Sequence, residues 1–473
     1  MKLFSTIIFM FFFSVNVFPQ KNIKNLQSKI DQVLSDEFFN STIASVSVYD
    51  LTSGEYLYQK NTDLLLRPAS NLKILTTTAG LLFLGPDYNF TTSLYYTGQI
   101  SGGILLGDLY IVGGFDPLLT TNDLDTLIIG LKQAGIKNIV GNIYGDVSSK
   151  DSLFWGAGWM WDDDPSTDAP YLSPLTINEN SVKIICRPGE VDSLVRVELI
   201  PNSNYYSFKN KAITIAADSS KIKVTRGWIS RKNNISVSGY LSQNAEPDTN
   251  AINLYDPAKY FLSLFTETLF RNHILFNGSI DTAKLKGNSY LIGLCKHRLS
   301  EAIDPLLKDS DNLYSELLLY TLAKEFYGEP ANAENGVKMV DSLITLIGKN
   351  PKNYRIVDGS GVSHYNLITS DLIIEVLKYL YYNKPDFYNL IYKSFPVAGV
   401  DGTLDERMIG TSAENNVHAK TGTLSGVSCL SGYVTAKNDH TLAFSIMIQN
   451  YITKSKIAKS FEDEICNVLA NYK

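Results

Sequence analysis

The N-terminal part of the chain alternates between helical and strand-like spacing of its apolar residues. Residues 25–39 place apolar side chains at helical intervals, whereas IASVSVYD, residues 43–50, alternates as a strand does. The turn LTSGE separates this run from YLYQKN, and the two runs predict a hairpin. Another apolar run follows Pro68, whose φ suits a first helical turn, and ends at Gly85-Pro86. We therefore predict a helix whose first turn contains Ser70.

The middle of the chain, from about residue 88 to 290, has a different pattern. Its first part predicts an α/β unit with two strands, a helix and one further strand, at 92–98, 103–114, 123–135 and 138–148. Short alternating strands separated by polar turns then predict an all-β unit, and a helical pattern follows at 256–274. Because no repeat or low-complexity linker separates them, we expect these units to be inserted and packed.

The last third is helical from about residue 300 to 393, followed by three strand-like runs and a final helix. A helix and hairpin at one chain end and a meander and helix at the other predict one antiparallel sheet covered by helices. The predicted fold class is α+β, with a main domain built from both chain ends and two smaller inserted domains. The predicted boundaries are 21–90 and 290–473 for the main domain, 91–170 for the α/β insert, 171–250 for the all-β insert and 251–289 for a return segment.

The first twenty residues have the pattern of a secretory signal. Lys2 precedes a mostly apolar run that ends at Phe13, which is short for a membrane span. We predict that residues 1–20 are a signal peptide, cut between Ser14 and Lys21, and that the mature protein is exported to the periplasm. An uncleaved anchor is the competing interpretation, and peripheral membrane association remains open.

Charge and residue types exclude several functions. The 473 residues have a formal net charge of −6 and no basic stripe, so no nucleic-acid partner is expected. The four cysteines are widely spaced, fit no CxxC motif, and are expected to be buried thiols. The five histidines are scattered without an HExxH motif. We therefore predict no metal and no cofactor, and a Ser-His-Asp triad would have to be assembled from isolated residues.

Ser70 and Lys73 form an S-x-x-K motif on the predicted helix. Residues three apart share one helix face, so the Lys73 amine can approach the Ser70 hydroxyl. A lysine whose pKa is lowered by desolvation and nearby cations can accept the serine proton, which makes the serine a nucleophile. A helix cap beside a solvated lysine is the plainer interpretation. A second S-x-x-K, Ser220 to Lys223, lies in a strand pattern that points the two side chains to opposite faces.

Two further motifs favour acyl-transfer chemistry. Ser310-Asp311-Asn312 precedes a helix, and Lys420-Thr421-Gly422-Thr423 lies on a probable strand. The ordered set S-x-x-K, S-x-N and K-T-G resembles that of class A β-lactamases and penicillin-binding proteins. We assign Ser70, Lys73 and Ser310 to catalysis, with Ser310 relaying a proton and Asp311 structural. Substrate binding is assigned to Asn312, for an amide, and to Lys420, Thr421 and Thr423, for a carboxylate.

Backbone groups of the helix start and of the strand also have predicted roles. Gly422 would let the strand approach the substrate closely, and the N–H groups of Ser70 and Thr423 would form an oxyanion hole. Lys420 would also act as the second cation that lowers the pKa of Lys73.

Longer stretches extend the likeness to one family. VGGFDPLLT, GDVSSKDSLFWGAGWMWDDDP, APYLSPLTINENSV, DGSGVSHYNLIT and FPVAGVDGTLDERM resemble the penicillin-binding protein 4 type of D-alanyl-D-alanine carboxypeptidase, the low-molecular-mass class C group. The likeness covers nearly the whole chain after the signal. It implies a β-lactamase/transpeptidase-like fold for the main domain, with two domains inserted between the first two motifs as in that family. His364 departs from the family pattern, in which we expect Arg.

The resemblance implies a substrate and inhibitors. Ser70 would attack the carbonyl between the terminal D-alanines of a peptidoglycan stem peptide, and D-alanyl–diaminopimelate cross-links would be cut by the same chemistry. β-Lactam antibiotics would acylate Ser70. An aspartate of the insert would favour a side chain with a free amine, and the motif position predicts Asp146, unless that residue only closes a strand-end turn. A β-lactamase and a non-catalytic wall-binding relic remain as alternatives.

Overall fold

A computed structural model describes residues 18–473, so most of the predicted signal peptide lies outside the described residues. The helices are α1 (Phe18–Val33), α2 (Leu72–Phe83), α3 (Asp123–Leu127), α4 (Ile129–Gln133), α5 (Pro257–Arg271), α6 (Leu299–Lys308), α7 (Asn312–Tyr327), α8 (Ala333–Leu346), α9 (Ser370–Asn383), α10 (Pro385–Ser394) and α11 (Ser455–Ala470). The strands are β1 (Ile43–Asp50), β2 (Glu55–Lys60), β3 (Asn89–Thr97), β4 (Gln99–Ser101), β5 (Ile104–Leu106), β6 (Leu109–Val112), β7 (Asn138–Val140), β8 (Ile143–Asp146), β9 (Ser181–Arg187), β10 (Arg196–Ile200), β11 (Ser207–Asn210), β12 (Ile213–Ile215), β13 (Lys221–Gly227), β14 (Lys232–Ser242), β15 (Asp248–Asn253), β16 (Leu275–Phe276), β17 (Ile280–Thr282), β18 (Ser289–Arg298), β19 (His418–Leu424), β20 (Val427–Thr435) and β21 (Thr441–Gln449).

The main sheet is built from both chain ends. Its five strands are all antiparallel and lie in the order β19-β20-β21-β1-β2. Strand β1 lies between the C-terminal β21 and its own hairpin partner β2, and Ile43 is opposite Gln449. The predicted α+β class and the antiparallel sheet are confirmed.

Helices cover both faces of this sheet, which is why its central strands are almost continuously buried. On β20, Val427 and Tyr433 pack with α2 and the helices between residues 299 and 394. Leu430 and Val434, on the opposite face, pack with α1 and α11. Side chains of a strand point alternately to its two faces, so both sets must be apolar when both faces are covered.

The α/β insert is completed by strands that come after the all-β unit. Its larger sheet has the order β17-β8-β6-β3-β18, and its smaller sheet the order β16-β7-β5-β4. Strand β18 pairs with β3, with Cys295 opposite Thr92, so this sheet continues past the predicted boundary at residue 290. No strand was predicted at residues 289–298, where apolar and polar residues of SYLIGLCKHR do not alternate regularly.

The predicted strand 138–148 forms two strands that belong to different sheets, β7 and β8. The chain turns at Gly141, which has φ +155°, and a Cβ there would lie 2.2 Å from the carbonyl oxygen of Gly107. A side chain is therefore excluded at this position. The predicted helix 123–135 is likewise divided, at Ile128, into α3 and α4.

The all-β unit contains a sheet β10-β9-β15 and a second sheet in which β11, β12 and β13 all pair with β14. The four cysteines are buried and unpaired with one another, as predicted. Among the helices of residues 18–473, none has both the length and the apolar character that a membrane span requires.

Candidate active site

Ser70 lies in a 3-10 turn, Ala69–Asn71, that leads directly into α2. Strand β19 packs closely against this turn, and Asn71 Nδ2 donates to the carbonyl oxygen of Lys420 at 3.2 Å. A Cβ at Gly422 would lie 3.0 Å from both the Cβ of Ala69 and the carbonyl oxygen of Pro68. Gly422 therefore permits a close approach of strand to turn, whereas the sequence analysis assigned it a close approach to substrate.

Lys73 is fully buried and contacts three groups. Its Nζ donates to Ser70 Oγ at 2.8 Å, to Asn312 Oδ1 at 2.5 Å and to the carbonyl oxygen of Ser360 at 3.0 Å. The first two contacts join the S-x-x-K and S-x-N motifs. The third anchors the amine to a segment that the sequence analysis had not assigned to the site.

Burial lowers the pKa of Lys73 to about 8, against the opposing charges of Asp311, Asp358 and Glu316. A neutral amine is thus accessible near neutral pH, and it lies within hydrogen-bond distance of the Ser70 hydroxyl. This arrangement fits a general base that removes the serine proton.

Lys420 is also fully buried, and its Nζ donates to the carbonyl oxygen of Thr421 at 3.0 Å. Burial and the charge of Lys73 lower its pKa well below the usual range. Thr421, Gly422 and Thr423 line the cleft, and Lys420 lies behind them. The hydroxyl of Thr421 is 2.7 Å from that of Thr403. Lys420 could therefore act on a substrate carboxylate only at a distance, through its charge, unless its side chain moves into the cleft.

The S-x-N motif occupies the connection between α6 and α7. Ser310 lines the cleft and has a left-handed φ of +63°. Asp311 caps α7 by accepting a hydrogen bond from the N–H of Tyr314, in agreement with its predicted structural role. Asn312 is occupied at both polar atoms, because its Nδ2 donates to the carbonyl oxygen of Asp168 at 2.5 Å. Within the described residues, Lys73 contacts Asn312 rather than Ser310.

A buried carboxylate supports the third contact of Lys73. Glu316 accepts hydrogen bonds from the N–H groups of Gly359 and Ser360, at 3.0 and 2.8 Å. Burial and the neighbouring Asp358 raise the pKa of Glu316. Asp358 in turn accepts from the N–H groups of Gly361 and Ser363. These two acids hold the segment whose carbonyl oxygen contacts Lys73.

Neither acid was predicted as part of the site, although the sequence contains a signal for each. Glu316 is a glutamate inside the mostly apolar helix α7, and a buried carboxylate in such a helix requires hydrogen-bond donors from elsewhere. Asp358 lies in the run DGSG, whose glycines let the backbone turn back on itself. Backbone N–H groups can then point toward the Asp358 carboxylate.

The motifs converge on a cleft of about 670 Å³. Ser70, Ser310, Asn312 and the Thr421 to Thr423 segment line one part of it. The α/β insert contributes three acidic residues to another part, namely Asp162, Asp163 and Asp168. His364 also lines the cleft.

Asp146 is not among the residues that line this cleft. Asp146 ends β8, is only 6% exposed, and accepts hydrogen bonds from the N–H groups of Ser148 and Leu285. Its two oxygens are therefore both engaged within the insert. These hydrogen bonds fit the alternative left open from the sequence, in which the carboxylate closes a strand-end turn.

Asp163 is one of the insert's carboxylates that line the cleft, and it is partly buried. Its Oδ2 accepts from the N–H of Met160 at 2.9 Å, which fixes the carboxylate on the cleft wall. Burial raises the pKa of Asp163, while that hydrogen bond and the nearby His364 act in the opposite direction. The histidine that departs from the expected arginine thus lies beside this acid.

The fold and the site place the protein among the serine acyl-transfer enzymes that carry the three motifs on one cleft. A family model, the D-Ala-D-Ala carboxypeptidase 3 (S13) family, matches residues 26–472, and the chain belongs to this family. A D-alanyl-D-alanine carboxypeptidase of an Actinomadura species is 30% identical, over 95% of this chain and 85% of that protein. A carboxypeptidase of the same name from Haemophilus influenzae is 28% identical, over 97% of this chain and 96% of its own length.

A comparison with solved structures also finds a penicillin-binding protein with the same fold. Penicillin binding protein 4 from Haemophilus influenzae superposes with a TM-score of 0.79 at 27% identity. The match covers 95% of this chain and 100% of that structure, so it includes the inserted units as well as the main sheet.

Proposed function

We propose that this protein is a serine D-Ala-D-Ala carboxypeptidase that acts on peptidoglycan stem peptides through an acyl-enzyme on Ser70. The observation that carries the proposal is the 2.8 Å contact between Ser70 Oγ and a fully buried lysine whose pKa is lowered to about 8. The relatives support it, since two of them are carboxypeptidases of this name and one is a penicillin-binding protein.

The proposed reaction begins when neutral Lys73 takes the proton of Ser70 and Oγ attacks the carbonyl carbon between the two terminal D-alanines. The N–H groups of Ser70 and Thr423 stabilise the oxyanion. Ser310 relays a proton to the amine of the departing D-alanine, and water then hydrolyses the ester on Ser70. Cleavage of a D-alanyl–diaminopimelate cross-link would follow the same steps, and β-lactams would stop at the ester.

Release of D-alanine tests this function. Purified protein should release one D-alanine from a peptide that ends in D-Ala-D-Ala and should turn over the chromogenic cephalosporin nitrocefin only slowly. Rapid nitrocefin turnover without D-alanine release would instead indicate a β-lactamase. A folded protein that neither releases D-alanine nor takes up penicillin would indicate a wall-binding relic.

Export to the periplasm belongs to the same proposal. It is supported by the apolar N-terminal run and by the proposed substrate, which lies outside the cytoplasm. Peripheral contact with the membrane stays a prediction from the sequence.

Replacing Lys420 with alanine should weaken the use of substrates that end in a carboxylate. When it is protonated, the amine places positive charge beside the Thr421 and Thr423 hydroxyls of the same strand, so its loss should remove positive potential from that side of the cleft. We expect kcat/KM to fall more for a peptide with a free C-terminal carboxylate than for its amide. Steady-state kinetics on the matched pair measures the difference, and equal losses would refute this role.

Replacing Asp163 with asparagine should lower kcat/KM several-fold for peptides with a free side-chain amine, such as diaminopimelate peptides. A partly exposed carboxylate and ammonium pair contributes on the order of 1 kcal/mol. Asparagine is of the same size and can still accept the hydrogen bond from Met160. Peptides whose side-chain amine is acetylated should be cleaved nearly as well as before.

Asp146→Asn is the matched control, because this residue lies outside the cleft. It should leave the ratio of the two kcat/KM values unchanged. Equal losses on both peptides in Asp163→Asn would show that Asp163 only supports the insert.

A further inference from the structure

A second group of polar side chains lies in the α/β insert, away from the residues that line the cleft. Cys295 and His297 are two residues apart on β18 and therefore share one face of the strand. Asp123 begins α3, which packs on this strand. The cysteine sulfur, one imidazole nitrogen and one carboxylate oxygen all lie within 4.8 Å of one another.

We propose that Asp123, Cys295 and His297 form a binding site for a zinc ion. Zinc prefers thiolate, imidazole and carboxylate ligands in a tetrahedral arrangement. Bonds of roughly 2.0–2.3 Å put neighbouring ligand atoms about 3.3–3.6 Å apart. His297 Nε2 and Asp123 Oδ1 are 3.7 Å apart, so a small inward movement brings them to bonding positions.

The imidazole is already oriented for this role. Asp116 Oδ2 lies 2.8 Å from His297 Nδ1, and the Asp116 side chain is 1% exposed. Asp116 is itself held, because its Oδ1 accepts from the N–H of Leu118 at 3.1 Å. A zinc-bound histidine usually donates its other ring N–H to a carboxylate. That hydrogen bond directs the lone pair of the free nitrogen toward the metal.

The carboxylate of Asp123 is oriented in a similar way. Its Oδ2 accepts from the N–H and the hydroxyl of Thr120, at 2.8 and 2.7 Å. These two bonds direct the other oxygen, Oδ1, to His297 Nε2. The side chains of Asp123 and His297 are 24% and 20% exposed, so water can reach the group and complete the coordination.

A metal here would connect α3 to the edge strand of the insert's larger sheet. That strand leads into α6, which begins at Leu299, and α6 leads to Ser310. The site would therefore stabilise the segment before the S-x-N motif rather than take part in the chemistry. No metal was predicted from the sequence, because its cysteines and histidines form no CxxC or HExxH motif and Asp123 is distant from Cys295 and His297 along the chain.

Cobalt(II) titration of the tag-free, full-length protein tests the proposal. Cobalt bound through a thiolate gives a charge-transfer band in the near ultraviolet, so the band reports on Cys295 directly. We expect this band at one equivalent, its loss when zinc is added, and its absence in Cys295→Ser. Cys186→Ser, which changes another buried cysteine, should retain the band.

Two further measurements distinguish a loss of metal binding from a loss of folding. Asp123→Asn should bind cobalt more weakly even if Cys295→Ser fails to fold, and penicillin labelling of Ser70 identifies the folded variants. Zinc should raise the melting temperature of the unmodified protein by a few degrees and have a smaller effect on Asp123→Asn. A folded protein with no cobalt–thiolate band, or with equal affinity in Asp123→Asn, would overturn the proposal.

Discussion

Ser70→Ala is expected to abolish the covalent adduct that penicillin forms with the unmodified protein. No other hydroxyl in the cleft is in contact with the buried amine of Lys73, within the described residues, so none has a base to activate it. Intact-mass measurement after penicillin treatment should show one adduct on the unmodified protein and none on the variant. Peptide mapping should place the adduct on the peptide that contains Ser70.

Ser220→Ala is the control for this experiment. Ser220 belongs to the second S-x-x-K motif, but that motif leads into strand β13, and its hydroxyl accepts from the N–H of Ser242 instead of a lysine. This variant should be acylated normally. An adduct that persists in Ser70→Ala would contradict the assignment of the nucleophile.

Lys73→Ala is expected to slow acylation of Ser70 by about 10²-fold or more, for peptides and penicillins alike. In the unmodified protein the neutral amine is the active form, and burial lowers its pKa to about 8. The acylation rate should therefore rise as the pH increases from 6 to 8 and level off above about 8. Stopped-flow acylation by a fluorescent penicillin across this range measures both the rate and its pH dependence.

Lys223→Ala, the equivalent change in the second motif, should leave both the rate and the pH profile unchanged, since Lys223 is exposed on β13. The profile of Lys73→Ala should lose the rise near pH 8. If that rise is retained in Lys73→Ala, another group is the base and the role given to Lys73 is wrong.

Local patterns were enough to predict the elements that carry the motifs. Ser70 and Lys73 are three residues apart at a helix start, and Lys420 to Thr423 alternate on a strand, so their relative positions depend on backbone geometry alone. The hairpin follows from the alternation in residues 43–50 and the turn after it, and the meander from three strand-like runs near the C-terminus. The antiparallel sheet could be inferred because helices and strands occur in matching sets at the two chain ends.

Contacts between distant segments could not be read from such patterns. Glu316 and Asp358 act on the backbone of residues 359–363, and a carboxylate does not indicate in the sequence which N–H groups it will accept from. The sequence likewise does not indicate that the hydrogen-bond donor to Asp163 is nearby, at Met160, whereas a donor to Asp146 is distant along the chain, at Leu285. The strand β18 and its pairing with β3 were not predicted, because strand pairing depends on a surface that forms only as the chain folds.

The position of β1 between β2 and β21 affects how the chain can be made. Synthesis proceeds from the N-terminus, so one edge of β1 has no partner until residues 441–449 have been added near the end of the chain. Meanwhile the inserted units, whose strands all lie between residues 89 and 298, already have all their pairing partners. An unpaired apolar strand edge invites association with other chains. The nascent protein therefore carries an exposed, aggregation-prone strand for most of its synthesis, and any truncation before β21 makes that state permanent.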